Sequence, residues 1–336
     1  MCHRCTPGSD PRHAHGRDGR RPGDTIDRSV GTGPTRERGR IMTRTDGTLV
    51  WLVTGSSRGF GRRIAEAALD RGDLVVATGR RASALDDLVE RYGPEQLLAA
   101  DLDVTDAEAA RDVVRQTVDR FGRLDVVVDN AGYANSGSIE EMPEDDFRDQ
   151  VETNFFGVVN VTRAALPVLR AQRSGLFLQF SSVGGRIGGT PGLGAYQAAK
   201  FAVEGFSEVL AAEVAPLGVR VVIVEPGAFR TDWQGGSMTM HPVGADYEET
   251  VGALHALRRE GDGRQPGDPV RGARVLVDMA HGDLAREGAD LPLRLPLGSD
   301  AVARVLDGER RRTDEARDWA DVSRSTDYAA SLAETA

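Results

Sequence analysis

The sequence predicts an α/β protein of three layers, in which a doubly wound parallel sheet is covered by helices on both faces. Short apolar runs alternate with amphipathic helical patterns between residues 49 and 224, and such alternation is typical of crossover units in a parallel sheet. The first apolar run is followed by a glycine-rich turn and then by a helix, an order typical of nucleotide-binding loops. With 336 residues, 40% of them hydrophobic, the chain is long enough for one large domain of this class.

The predicted strands are short apolar runs that suit burial on both faces of a sheet. They cover residues 49–53, 74–78, 97–100, 126–128, 176–180 and 219–224. The predicted helices have apolar residues at intervals of three and four. They cover residues 62–71, 82–91, 106–121, 145–169, 196–214 and 269–281, with further helices ending near residue 260 and beginning near residue 301.

Composition separates an N-terminal extension from the rest of the chain. Residues 1–46 are rich in arginine, glycine and proline and nearly lack aliphatic residues, so we expect them to be disordered. Cys2 and Cys5 lie in this stretch close to histidines, but such a segment disfavours an ordered metal site, and we predict none. Met42 lies just before the folded part, and we expect the protein to start there. The folded domain is expected over residues 47–298, followed by a helical tail over residues 299–336.

Charge and hydropathy exclude several classes of partner. The formal net charge is −10, which argues against a nucleic-acid partner. No apolar run approaches the roughly 18 residues needed to span a bilayer, and the N-terminus has no apolar segment of signal-peptide type. We therefore expect a soluble, cytoplasmic protein with no membrane partner.

The turn after the first strand reads TGSSRGFG. Glycines let the backbone turn sharply and approach a pyrophosphate, while the free N–H groups at the start of the next helix face its negative charge. The predicted cofactor contacts in this loop are Gly55, Ser57, Arg58, Gly59, Phe60 and Gly61.

The second strand ends in Gly79-Arg80-Arg81, where an acid would favour NAD and an arginine accommodates the extra phosphate of NADP. No acid is present at this strand end, and Arg58 adds a second cation. The sequence therefore favours NADP(H), with NAD(H) possible; the alternative is that these arginines are only solvated surface residues.

Tyr196 and Lys200 lie four residues apart in a predicted helix, so they share one face. An ammonium group close to a phenol favours the phenolate, and we expect Lys200 to lower the pKa of Tyr196 from about 10 toward the working pH. A phenol tuned in this way is a general acid or base. Ser181 and Ser182 follow the fifth strand, at the sheet edge where ligands bind in such folds. Alternatively, both residues have only structural roles: Tyr196 packs at the edge of the core and Lys200 is a solvated surface charge.

Together these motifs resemble the short-chain dehydrogenase/reductase family, in its compact single-domain branch with a Rossmann-type sheet. The match is dense over residues 49–232 and weaker to about residue 297, and it includes TGSSRGFG, LDV, DNAG, YQAAK and EPGAFRTDW in family order. The resemblance implies a last strand at residues 291–295 and a substrate lid at about residues 229–267. It implies four catalytic residues: Asn154, Ser182, Tyr196 and Lys200. It implies further cofactor contacts at Asp103, Val104, Asn130, Ala131, Gly132, Tyr196, Lys200, Pro226, Gly227 and Thr231.

Two departures from the family pattern stand out. Asp129 replaces an amide that commonly helps to hold the central strand, and we expect a structural effect rather than a catalytic one. Ser182 lies fourteen residues before Tyr196, one more than the commonest spacing, and we expect the glycine-rich loop between them to absorb the extra residue. Ser181 is the less favoured serine, because neighbouring side chains on a strand point in opposite directions.

The resemblance implies an oxidoreductase that interconverts a ketone or aldehyde and its alcohol, with NADP(H) as the preferred cofactor and Tyr196 as general acid or base. The substrate is expected to be a small molecule, and the family usually forms homodimers or homotetramers. Two alternatives remain open at this point: a nucleotide-binding sensor without turnover on the same fold, and a sugar-nucleotide epimerase or dehydratase of the larger family branch. The sequence does not identify the substrate.

Overall fold

A computed structural model describes residues 47–233, 235, 237–284 and 290–328. The predicted extension over residues 1–46 and its two cysteines lie outside the described residues. Within the described part, no group of three or more His, Cys, Asp or Glu side chains could hold a metal ion. No helix in that part is both long and apolar enough to cross a membrane.

The centre of the fold is one sheet of seven strands in the order β3-β2-β1-β4-β5-β6-β7. Every neighbouring pair is parallel. The strands are β1 (Val50–Val53), β2 (Leu74–Gly79), β3 (Leu97–Asp101), β4 (Val126–Asp129), β5 (Gly175–Phe180), β6 (Val219–Pro226) and β7 (Arg294–Leu297). The order reverses between β1 and β4, and the crevice at such a reversal is where doubly wound folds bind ligands.

Helices cover both faces of the sheet. The helices are α1 (Gly59–Asp70), α2 (Asp86–Tyr92), α3 (Ala107–Phe121), α4 (Glu144–Val151), α5 (Gly157–Gln172), α6 (Val183–Arg186), α7 (Gly194–Val214), α8 (Ala253–Gly261), α9 (Pro269–His281), α10 (Ser299–Asp318) and α11 (Ala320–Arg324). One hydrophobic cluster joins the sheet to α1 and α9, and a second joins it to α3, α5 and α7. The predicted fold class is therefore confirmed.

Three predicted elements differ in detail. The helix expected over residues 82–91 begins with a 3₁₀ segment, Ala82–Leu85, before α2. The helix expected over residues 145–169 contains a π-helical turn, Glu152–Phe156, between α4 and α5. The last strand lies at Arg294–Leu297 rather than at residues 291–295, because its backbone pairs with β6 from Ile223 onward.

Helix α10 packs on the domain through its first half. Ala301 and Val305 are buried against Val183 of α6 and Ile187, the residue that follows α6. Trp319 at its end is 61% exposed, so it does not dock on the body of the protein.

Candidate active site

A cleft of about 910 Å³ lies at the carboxyl ends of the strands. All but one of the predicted site residues line it: the glycine loop, Arg80, Asp103 and Val104 at one end, and the serine, tyrosine and lysine at the other. The exception is Gly61, which lies behind the loop inside α1. The sequence thus located both halves of one cavity from motifs that are more than 100 residues apart.

The glycine loop is shaped by its neighbours in the sheet. Gly55 and Gly59 have φ angles of 68° and 61°, in the left-handed region that favours glycine. A Cβ on Gly61 would lie 2.4 Å from the carbonyl oxygen of Gly55, so only glycine permits this approach of helix to loop. The N-cap residue of α1, Arg58, forms no side-chain cap, and the first N–H groups of the helix are left to face the cleft. These features fit a pyrophosphate at the start of α1.

The end of the cleft beside β2 combines cations with one acid. Arg58 and Arg80 are exposed and line the cleft, whereas Arg81, the residue after Arg80, does not line it. Asp103 also lines this end, and its carboxylate accepts hydrogen bonds from the backbone N–H and hydroxyl of Thr105. The arrangement offers two guanidinium groups to an anion near the end of β2.

The DNAG segment holds the loop beside β1 in place. The Asn130 side chain donates to the carbonyl oxygen of Thr54 at 2.9 Å and to that of Gly55 at 3.2 Å. The backbone N–H groups of Asn130 and Ala131 both donate to the Thr54 hydroxyl at 3.0 Å. Asn130 therefore positions the glycine loop through hydrogen bonds to backbone.

Asn154 lies in the π-helical turn and is fully buried. Its amide accepts from the N–H of Tyr133 at 3.0 Å and donates to the carbonyl oxygens of Tyr133 and Gln150, both at 2.8 Å. A Cβ on Gly132 would lie 2.3 Å from its Oδ1. The side chain thus fixes the loop after β4, and its polar atoms are committed to backbone.

Ser182 and Tyr196 meet in the cleft. The Ser182 hydroxyl lies close enough to the phenol of Tyr196 to lower its pKa, and its Oγ accepts from the N–H of Gly184 at 3.0 Å. Ser181 points the other way, and its hydroxyl donates to the carbonyl oxygen of Lys200 at 3.4 Å. The structure therefore brings Ser182, and not Ser181, to the tyrosine, as the alternation of side chains predicts.

Lys200 is buried beneath the tyrosine, with its Nζ 5.9 Å from the centre of the Tyr196 ring. The ammonium donates to the carbonyl oxygen of Phe180 at 2.7 Å. Burial lowers the pKa of Lys200 to about 8, although the negative charges of Asp129 and Glu204 act in the opposite direction.

The expectation that Lys200 lowers the pKa of Tyr196 is wrong. Tyr196 is 7% exposed, and burial raises its pKa to about 12, with only the nearby Ser182 hydroxyl opposing the increase. The ammonium faces a carbonyl group on β5 rather than the phenolic oxygen, so its charge does not offset the loss of solvent. At neutral pH Tyr196 is therefore protonated.

The lid lies over the tyrosine end. Pro226 at the end of β6, Gly227 and Thr231 also line the cleft. The indole ring of Trp233 lies 5.2 Å from the Tyr196 ring, centre to centre. The sequence did not single out Arg258, which lines the cleft from α8, because an arginine in a variable lid carries no motif.

Comparisons with known proteins agree with this geometry. The family model for short chain dehydrogenases matches residues 49–241. "Oxidoreductase BOA17" of Botryotinia fuckeliana is 48% identical over 255 residues, which are 76% of this chain and 90% of the relative. A 3-ketodihydrosphingosine reductase of Bacteroides thetaiotaomicron is 42% identical over 62% of this chain and 74% of the relative. The crystal structure of a short-chain dehydrogenase from Streptomyces avermitilis is 44% identical, with a TM-score of 0.75, and the match covers 84% of this chain and all of that one.

Proposed function

Because the chain belongs to the short-chain dehydrogenase/reductase family and is an oxidoreductase acting on CH–OH groups, we propose that it reduces a ketone or aldehyde to the alcohol with NADPH. The observation that carries this proposal is the position of Ser182 beside Tyr196 in the same cleft as the glycine loop. The reductase named among the relatives acts on a keto compound, which supports the same reaction class here.

The residues present fit a dinucleotide. The uncapped start of α1 would hold the pyrophosphate, and Arg58 and Arg80 would hold a 2′-phosphate on the adenosine ribose. Lys200 would hold the nicotinamide ribose, as the family resemblance implies. When bound, the nicotinamide supplies the hydride for the carbonyl carbon.

Tyr196 supplies the proton in this proposal. Its pKa of about 12 keeps the phenol protonated at neutral pH, so the form that carbonyl reduction requires is the populated one. The Ser182 hydroxyl hydrogen-bonds the carbonyl oxygen and stabilises the negative charge that develops there. Asn154 acts as a positioning residue through its hydrogen bonds to Tyr133 and Gln150. The apolar wall of Leu193 and Trp233 keeps bulk water from the reacting carbon.

Substitution of Tyr196→Phe tests the proposal. We expect carbonyl reduction, followed by the absorbance of the reduced nicotinamide over a panel of ketones and aldehydes, to fall by about a thousandfold. NADPH affinity, measured by fluorescence titration, should change little, because the ring and its contacts remain. Tyr133→Phe is a matched control in the same cleft and should keep its activity. Retention of more than about a tenth of the activity by Tyr196→Phe would defeat the assignment.

A further inference from the structure

Arg258 occupies an inward-facing position of the lid helix α8. Val251, His255 and Arg258 follow one another at helical spacing and are all buried, and Arg258 is only 7% exposed. The neighbouring Leu257 is instead 64% exposed. An amphipathic helix normally places the leucine inside and the arginine outside. This reversal puts a guanidinium in the interior, where an unpaired charge is destabilising.

The described part of the chain gives Arg258 a neutral partner and no carboxylate. Its Nη1 donates to the Ser136 hydroxyl at 2.7 Å. The same hydroxyl also lies 2.8 Å from His255 Nε2 and donates to the carbonyl oxygen of Gly192 at 3.0 Å. By contrast, the partly buried Arg294 lies 2.9 Å from a carboxylate oxygen of Glu204. The charge of Arg258 is therefore held in place but not neutralised.

The two side chains that contact the Ser136 hydroxyl, Arg258 and His255, both have lowered pKa values. Burial lowers the pKa of Arg258 to about 10, which leaves it cationic at neutral pH. Burial, and then the charge of Arg258, lowers the pKa of His255, which is accordingly neutral at that pH. Of the two side chains on Ser136, only Arg258 is therefore charged at neutral pH.

The guanidinium opens on the cleft that contains Tyr196. Arg258 and Leu254 line the cleft from α8, and Leu193 and Trp233, which pack with Tyr196, line the same cleft. Nε and Nη2 of Arg258 donate to no group in the described residues. These two nitrogens form one edge of the guanidinium, whose parallel N–H groups match the two oxygens of a carboxylate.

We propose that the substrate is a carbonyl compound that also bears a carboxylate. Arg258 pairs with this carboxylate, while the carbonyl group lies against Tyr196 and the apolar side chains of Leu193 and Trp233. Arg258 is then a specificity-determining residue that selects anionic substrates over their neutral counterparts. The reaction part of this inference rests on the function proposed above, whereas the binding part does not.

Calorimetric titration with octanoate and with its neutral counterpart octanamide tests the binding part. The wild-type protein should bind octanoate more tightly than octanamide. Arg258→Met should weaken octanoate binding at least about tenfold, whereas its affinity for octanamide should stay within about twofold of the wild-type value. Arg259→Met, on the exposed face of the same helix, is the matched control and should behave as wild type. Equal affinity of the wild-type protein for the two ligands, or equal losses in the two variants, would overturn the proposal.

Two further measurements separate this inference from the proposed reaction. Arg258→Lys keeps a charge without the planar edge, and it should retain the preference for octanoate at reduced strength even if the methionine variant fails to fold. In turnover assays with oxo acids and their methyl esters, Arg258→Met should lower kcat/KM for the acids and leave that for the esters unchanged. Octanoate selectivity without any carbonyl turnover would refute only the reaction, while ester turnover without acid preference would refute only the role of Arg258.

Discussion

Replacing Asp129 by asparagine should stabilise the protein at alkaline pH. The carboxyl group is 2% exposed at the end of β4. Its Oδ2 accepts from the Thr162 hydroxyl at 3.1 Å, but its Oδ1 has no donor among the described residues. Gln179, its register partner on β5, has a buried Oε1 that also lacks a donor in that part of the chain. An amide at position 129 provides the N–H that this pair of acceptors requires.

The size of the effect follows from the pKa of Asp129. Burial raises this pKa from 3.8 to about 7, and the polar side chains of Thr162 and Gln179 and the charge of Lys200 offset only part of the increase. Between these two pH values the folded protein keeps a proton that the unfolded chain has released, so the contribution of this group to stability falls as the pH rises from about 4 to about 7. A difference of about three in pKa corresponds to about 4 kcal/mol at pH 8, which is the upper limit of the expected gain.

Urea denaturation of both proteins at pH 5, 6 and 8 measures this gain. The stabilisation by Asp129→Asn should be small at pH 5 and reach a few kcal/mol at pH 8. The raised pKa of Glu225 is present in both proteins and cancels in the comparison. Asp73→Asn is the contrasting control, because that buried carboxylate accepts from the N–H of Leu49 at 3.0 Å and from the indole N–H of Trp51 at 2.9 Å, and its loss should destabilise. A pH-independent difference, or a less stable Asp129→Asn protein at pH 8, would refute the reasoning.

Two substitutions test the cofactor end. Arg80→Ala should raise the dissociation constant for NADPH about tenfold or more and change the dissociation constant for NADH little. Arg81 does not line the cleft, so Arg81→Ala should change neither dissociation constant. Equal losses of affinity for both cofactors would argue against the NADP preference. Gly61→Ala should weaken both cofactors and lower the melting temperature, because the added methyl group would overlap the carbonyl oxygen of Gly55 and the Asn130 amide; near-normal titration and melting curves would show that the loop can move aside.

The architecture was predictable because it depends on patterns that the chain carries locally. Apolar runs, the glycine turn and helical periodicity identify the strands and helices, and their alternation implies the parallel sheet. The π-helical turn at Glu152–Phe156 was not predictable, since one extra residue in a helical turn leaves no signal in apolar spacing. The position of β7 depends on pairing with β6, which is a tertiary contact.

The sequence predicted which residues line the cleft, but it did not predict their electrostatics. A spacing of four residues places Tyr196 and Lys200 on one face of a helix, but it does not determine how much solvent reaches them or where the ammonium points. The folded chain buries both and directs Lys200 to Phe180. Arg258 was missed for a related reason, because its importance comes from what surrounds it and not from a motif.

The docking of α10 has a practical consequence for anyone who shortens or fuses this protein. A Cβ on Gly308 would lie 2.6 Å from the side chain of Ile187, and Glu309 binds Arg186 at 2.8 Å. Arg186 ends the short helix that Ser182 begins. Removing the chain after Gly298 would therefore remove the contacts that hold this helix, and with it Ser182, in place. A purification tag placed beyond Arg324 leaves that support intact.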